Sequence, residues 1–201
     1  MRLKNVCTAW MLGCCALACV APACSAQMGA ARAKVAVGTR MSPERAQEEL
    51  LNLFEHEFMG VAQAMPADKY GFAPTAATFA AGQGAKFAGV RTFAQQISHV
   101  TTANYYFAAA ILGEKVPVDT DGIERLTTKP ELLKAAADSF AYAHKALATI
   151  TAQNAYTTIE GVDGLHTRSV LASFIAAHGF DHYGQMVEYL RMNGVVPPGS
   201  K

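Results

Sequence analysis

Apolar residues recur at helical spacing in four long stretches, and Gly, Pro and polar residues separate them. The first stretch opens with Ser42-Pro43-Glu44. Ser suits the position before a helix, Pro its first turn and Glu the positive end of its dipole. Leu50, Leu53, Phe54, Phe58, Val61 and Met65 then fall on one face, and the helix is predicted to stop near Met65, before Pro66. A second helix is predicted from Val90 to Leu112, with Phe93, Ile97, Val100, Phe107 and Ile111 as its stripe and Gly113 at its end. A third starts at Lys129-Pro130-Glu131 and runs to Thr151, carrying Leu133, Ala137, Phe140, His144 and Leu147. The fourth covers Thr167 to Met192, with Val170, Leu171, Phe174, Ile175, Met186, Tyr189 and Leu190 on its apolar face. Pro197-Pro198 forbid its continuation.

Each helix must bury its stripe against the others, so the pattern predicts an all-α fold, a four-helix bundle with long connections. The connections cover 66–89, 113–128 and 152–166, and all three read as loops or turns with little strand signal. The first is long enough to border a binding site; the plainer reading is a surface loop anchored by Tyr70, Phe72, Phe79 and Phe87.

The N-terminus has a different pattern. Arg2 and Lys4 precede an uncharged run from Val6 to Ala26, which ends in the small residues Ala21-Pro22-Ala23-Cys24-Ser25-Ala26. Basic, apolar and small segments in that order make a secretory signal peptide. Residues 1–26 are therefore expected to be removed after Ala26, leaving a flexible lead-in at 27–41 and the bundle at 42–198. The expected location is exported, periplasmic or secreted. A lipoprotein anchored at Cys24 is the alternative, although no large aliphatic residue precedes that cysteine as a lipobox requires. A membrane-spanning helix fits less well, because the run is barely long enough and contains Pro22.

This leader changes what composition means. All five cysteines, Cys7, Cys14, Cys15, Cys19 and Cys24, lie within it, so the mature domain has no disulfide, thiolate nucleophile or cysteine ligand to offer. Arg2 and Lys4 leave with it and no acidic residue does, which turns the formal net charge from +1 to −1. No excess of cations remains for nucleic acid. Any metal must be bound by His, Asp or Glu.

Six histidines remain. His56 lies nearly opposite its helix's apolar stripe and His166 precedes the fourth helix, so both are expected in water. His178 and His182 are spaced by one helical turn, which places two imidazoles about 5–6 Å apart at Cβ and lets them chelate one ion. Spacing alone is a weak signal, and two hydrogen-bonded histidines at a core edge satisfy it equally. Gly179 stands between them, where a poor helix former suggests a close approach. Asp181 and Gln185 are near enough to support the pair, and Tyr106 is a further supporting candidate. A third ligand has to come from another helix, and His99 and His144 are both placed to supply it.

The run His178-Gly179-Phe180-Asp181-His182-Tyr183-Gly184-Gln185, followed by Tyr189-Leu190-Arg191-Met192-Asn193-Gly194 and Pro197-Pro198, resembles the closing motif of the DinB-like superfamily. Gln96-Ile97-Ser98-His99-Val100 is similar to that family's first-ligand helix, and Met65 to Pro74 looks like its segment after the first helix. The resemblance covers about residues 44–198. It implies a four-helix bundle holding a divalent metal (Zn, Ni, Fe or Mn) through His99, His178 and His182, with His144 outside the set. It also implies thiol-dependent transferase or isomerase activity, while an open three-histidine metal site suits a metal-dependent hydrolase or transferase acting on a small molecule. Export away from reduced thiols and the absence of a basic cluster weigh against the transferase. The other expectations are a non-catalytic metal- or ligand-binding bundle, or a bundle that pairs as a homodimer through an apolar helix face.

Overall fold

The computed structural model describes residues 35–200, so the leader and most of the lead-in lie outside the described residues. The described residues fall into two units, 35–39 and the rest from Arg40 onward. The second unit is all-α with one small hairpin: α1 (Pro43–Ala64), α2 (Phe93–Leu112), a short α3 (Thr120–Glu124), α4 (Lys129–Leu147), β1 (Thr158–Val162), β2 (Leu165–Thr167) and α5 (Arg168–Met192). The four long helices form the bundle. α2 packs on α4 and α5, and α1 packs on α5 and α4. No helix among the described residues is long and apolar enough to cross a membrane.

The helix starts follow the cap chemistry. Ser42 Oγ accepts the Arg45 N–H ahead of Pro43. Thr92 and Gln95 close α2 with a reciprocal capping box. Thr167 Oγ1 accepts the Val170 N–H at the start of α5. Gly113 ends α2 with φ +71°, a left-handed conformation that glycine takes without penalty.

The core is aromatic at its centre. The Phe54 ring lies 5.5 Å from Phe58, 5.4 Å from Phe140 and 5.2 Å from Phe180 between ring centres. Phe54, Phe58 and Phe140 are fully buried, and such tilted and edge-on pairs add to the area they bury. The segment after α1 is anchored by Tyr70, which donates to the Ala62 carbonyl at 2.7 Å and packs edge-on against Phe93. Farther along, Phe79 stacks on Phe87.

Several elements differ from the sequence reading. α4 stops at Leu147 and not at Thr151, because Thr151 and Asn154 bond each other's backbone N–H and offer the chain a turn in place of another helical round. The 113–128 connection contains α3. The 152–166 connection contains β1 and β2, paired antiparallel across Asp163-Gly164, both with positive φ (52° and 78°). Asp-Gly is a strong hairpin signal at short range, and it outweighs the weak strand pattern on either side. Leu53, placed on the buried face of α1, is 45% exposed; Leu51 is buried instead.

Candidate metal centre

α2 and α5 lie side by side, and this brings His99 to the His178–His182 pair. The Nε2 atoms of His99 and His178 are 3.3 Å apart, and those of His178 and His182 are 3.2 Å apart. One ligand atom from each of the three lies within 4.8 Å of the other two. Four donors held tetrahedrally at a zinc–nitrogen distance of about 2.0–2.1 Å stand about 3.3 Å from one another. The spacing therefore fits a shared ion. One N–H can serve only one of these contacts, so three converging ring nitrogens cannot satisfy each other, whereas one cation accepts all three lone pairs.

The surroundings of His182 hold its ring in the form a metal requires. His182 is buried and donates from Nδ1 to Gln96 Oε1 at 2.7 Å, which leaves the Nε2 lone pair facing its neighbours. Gln96 is fixed in turn by donating from Nε2 to Gln185 Oε1 at 2.9 Å. Burial, the Arg91 guanidinium and the two neighbouring imidazoles push His99 down to about 4. Burial and then His178 push His182 to about 4, and burial also lowers His178. All three are neutral donors near pH 7. Phe107 and Phe174 stand against His178 at ring-centre distances of 5.8 and 5.9 Å and give the site an apolar wall.

Other residues singled out in the sequence take different places. Gln185 supports His182 through Gln96 and does not touch a ring itself. Asp181 is exposed and accepts from Gln185 Nε2 at 3.4 Å; it acts on His178 and His182 only through its charge. Tyr106 is 47% exposed and its hydroxyl is hydrogen-bonded to Thr120 Oγ1, so it gives the histidines no direct support. His144 stands on the other side of the bundle, its Nδ1 2.7 Å from Glu48 and its Nε2 3.0 Å from Glu55. His56 and His166 are exposed, as expected. Gly179 does mark a close approach, and what approaches is Phe54: a Cβ at Gly179 would lie 1.9 Å from Phe54 Cζ.

Two residues at the centre escaped the sequence reading. Gln96 lies one turn before His99 on the same face of α2, a spacing that points to it. Arg91 donates to His99 Nδ1 at 3.4 Å from the loop before α2, where no helical period signals it.

A family model described as the DinB superfamily matches residues 50–186. The chain belongs to the DinB superfamily. The match takes in all of α2 and α4 and most of α1 and α5, and with them all three histidines of the cluster. No curated protein matches this DinB-superfamily chain.

Proposed function

We propose that this DinB-superfamily protein holds one divalent metal ion through His99, His178 and His182 and uses it as an open catalytic centre on a small molecule, as a hydrolase or a transferase. The observation that carries the reading is the convergence of three neutral imidazole Nε2 atoms from two helices. Three protein ligands are the mark of a catalytic rather than a structural site, since a fourth position is left to water or substrate. An ion bound there supplies Lewis acidity and lowers the pKa of a bound water or thiol.

The chain's own residues do the rest. Gln96 sets the His182 tautomer and ring orientation, and Gln185 keeps the Gln96 amide from turning. The Phe107 and Phe174 rings limit water on the His178 side. Residues 1–26 act as an export signal in this reading, residues 27–41 as a lead-in and residues 42–198 as the working domain; Cys24 is the lipid attachment point if the leader is processed as a lipoprotein's.

The test is turnover. Metal-loaded protein should convert a member of a panel of small esters, amides and thiol acceptors, and His178→Ala should lose that activity while its far-ultraviolet circular dichroism is unchanged. Equal turnover by the variant, or none by metal-loaded wild type across the panel, contradicts a catalytic centre.

A further inference from the structure

Arg91 lies beside His99, and the two line a polar cavity of about 450 Å³ together with Gln95, Ser98 and Glu124; the Arg91 charge also acts on His178 and His182. Its backbone is held from two directions. Tyr189 donates from its hydroxyl to the Arg91 carbonyl at 3.1 Å, and Thr92 caps α2 immediately after it. The side chain is exposed and reaches His99 Nδ1. Arg45, Arg125 and Arg191 each have a carboxylate partner; Arg40, Arg91 and Arg168 have none among the described residues, and of these only Arg91 lines the cavity beside His99. Glu124 lines the same cavity without reaching ion-pair distance.

The Arg91–His99 contact and a metal on His99 exclude each other. A guanidinium only donates. An imidazole that gives its Nε2 lone pair to an ion carries its hydrogen on Nδ1, and two donors cannot share a bond. A metal at the cluster therefore displaces the guanidinium from the ring, while the Tyr189 bond keeps the Arg91 backbone beside His99 and the cavity. Three neutral ligands leave the ion's full charge in place, and Arg91 adds another a few ångströms away. A planar, two-pronged cation without a protein partner, beside an open metal position, suits a carboxylate.

We propose that Arg91 anchors a carboxylate of the substrate, so that the molecule's second polar group, a few atoms away, is presented to the metal. This rests on the metal reading above. The substrate class is then a small carboxylic acid with a further oxygen or sulfur function. A single arginine without a lysine or a nest of backbone N–H groups matches one carboxylate better than a dianionic phosphate.

The experiment titrates cobalt-loaded wild type, Arg91→Gln and Arg91→Lys with acetate, malonate and succinate, reading the cobalt spectrum, with the metal content of each sample measured. Wild type should bind at least one dicarboxylate about tenfold more tightly than acetate, the value of one charge-assisted contact pair. Arg91→Gln should abolish that preference while shifting acetate less than about threefold, and Arg91→Lys should keep part of it. Arg91→Gln should also hold cobalt at least as tightly as wild type, because a neighbouring positive charge is gone. Equal affinities in wild type, as when Arg91 closes onto Glu124, overturn the anchor. So does a loss in Arg91→Gln that is equal for acetate and the dicarboxylates, or a several-fold loss of cobalt affinity, which makes Arg91 a support for His99. Wild type that takes up no cobalt refutes the metal reading itself and the anchor with it.

Discussion

Gly179 has no side chain because Phe54 occupies the place where one would be. The Phe54 ring is fully buried and wedged among Phe58, Phe140 and Phe180, so it cannot yield to a Cβ that would lie 1.9 Å away. Gly179→Ala gains about 1 kcal/mol of helix propensity and loses about 1–3 kcal/mol to overpacking, more at so short a distance. Its urea midpoint should fall, and adding Phe54→Leu should restore part of the loss; an unchanged midpoint contradicts this packing. His144 makes the opposite kind of contact. Hydrogen bonding to Glu55 first, and then to Glu48, holds its imidazolium above the usual value of 6.5 against the cost of burial. A raised folded pKa stabilises most below 6.5, and the contribution is lost as pH rises through the folded value. In metal-free protein the three clustered histidines work in the other direction: their lowered values cost stability as pH falls below 6.5, down to about 4 for His99 and His182. The urea midpoint should therefore decline on the alkaline side in wild type, and His144→Gln should flatten that limb alone. A wild-type midpoint that rises across the alkaline limb contradicts the Glu48–His144–Glu55 bridge. At this scale the His178–His182 pair was legible from spacing. The choice of His99 over His144 was not, because periodicity tells which face a residue occupies and not which helix lies opposite. Only the resemblance separated them, and the geometry agrees: His144 faces α1 and His99 faces α5.

Helix register explains where α5 places its residues. A step of four residues overshoots one turn by about 40°, so the line Val170, Phe174, His178, His182, Met186 winds around the helix. Val170 is 39% exposed, Phe174 and His178 are half-buried, and His182 and Met186 are buried. Sequence periodicity alone makes this line one buried stripe. The winding in fact sets the histidine pair where the line passes from solvent into the core, so that one face of the pair can be reached. α2 meets it with its first two turns, and those turns are fixed by Thr92: its Oγ1 accepts from the Gln95 N–H at 3.2 Å while Gln95 Oε1 accepts from the Thr92 N–H at 2.9 Å. Thr92→Ala should cost about 1 kcal/mol in denaturant unfolding, and Thr92→Ser should recover most of it. Equal stability of all three proteins contradicts the capping box. The four bundle helices were readable because each combines a long apolar period with cap residues. α3 and the hairpin were not, because five-residue and three-residue elements carry too few positions for a period to show, and only the Asp163-Gly164 turn marked one of them.

For the molecule as a whole, the bundle brings two helices that are separated in sequence by α3, α4 and the hairpin into contact at the level of three histidines. Family membership and this convergence point to the same residues, which lie within the matched span 50–186. All five cysteines, with Arg2 and Lys4, stand outside that span, so composition over the full chain says little about the domain's chemistry. The central claim is that His99, His178 and His182 together hold one divalent ion, and it is tested most directly by elemental analysis after the protein is loaded with zinc and freed of excess by gel filtration. Wild type should retain one equivalent, while His99→Ala, His178→Ala and His182→Ala, each folded by circular dichroism, should retain far less; His144→Ala should match wild type. Wild type that retains no metal, or a His178→Ala variant that retains a full equivalent, would contradict the account.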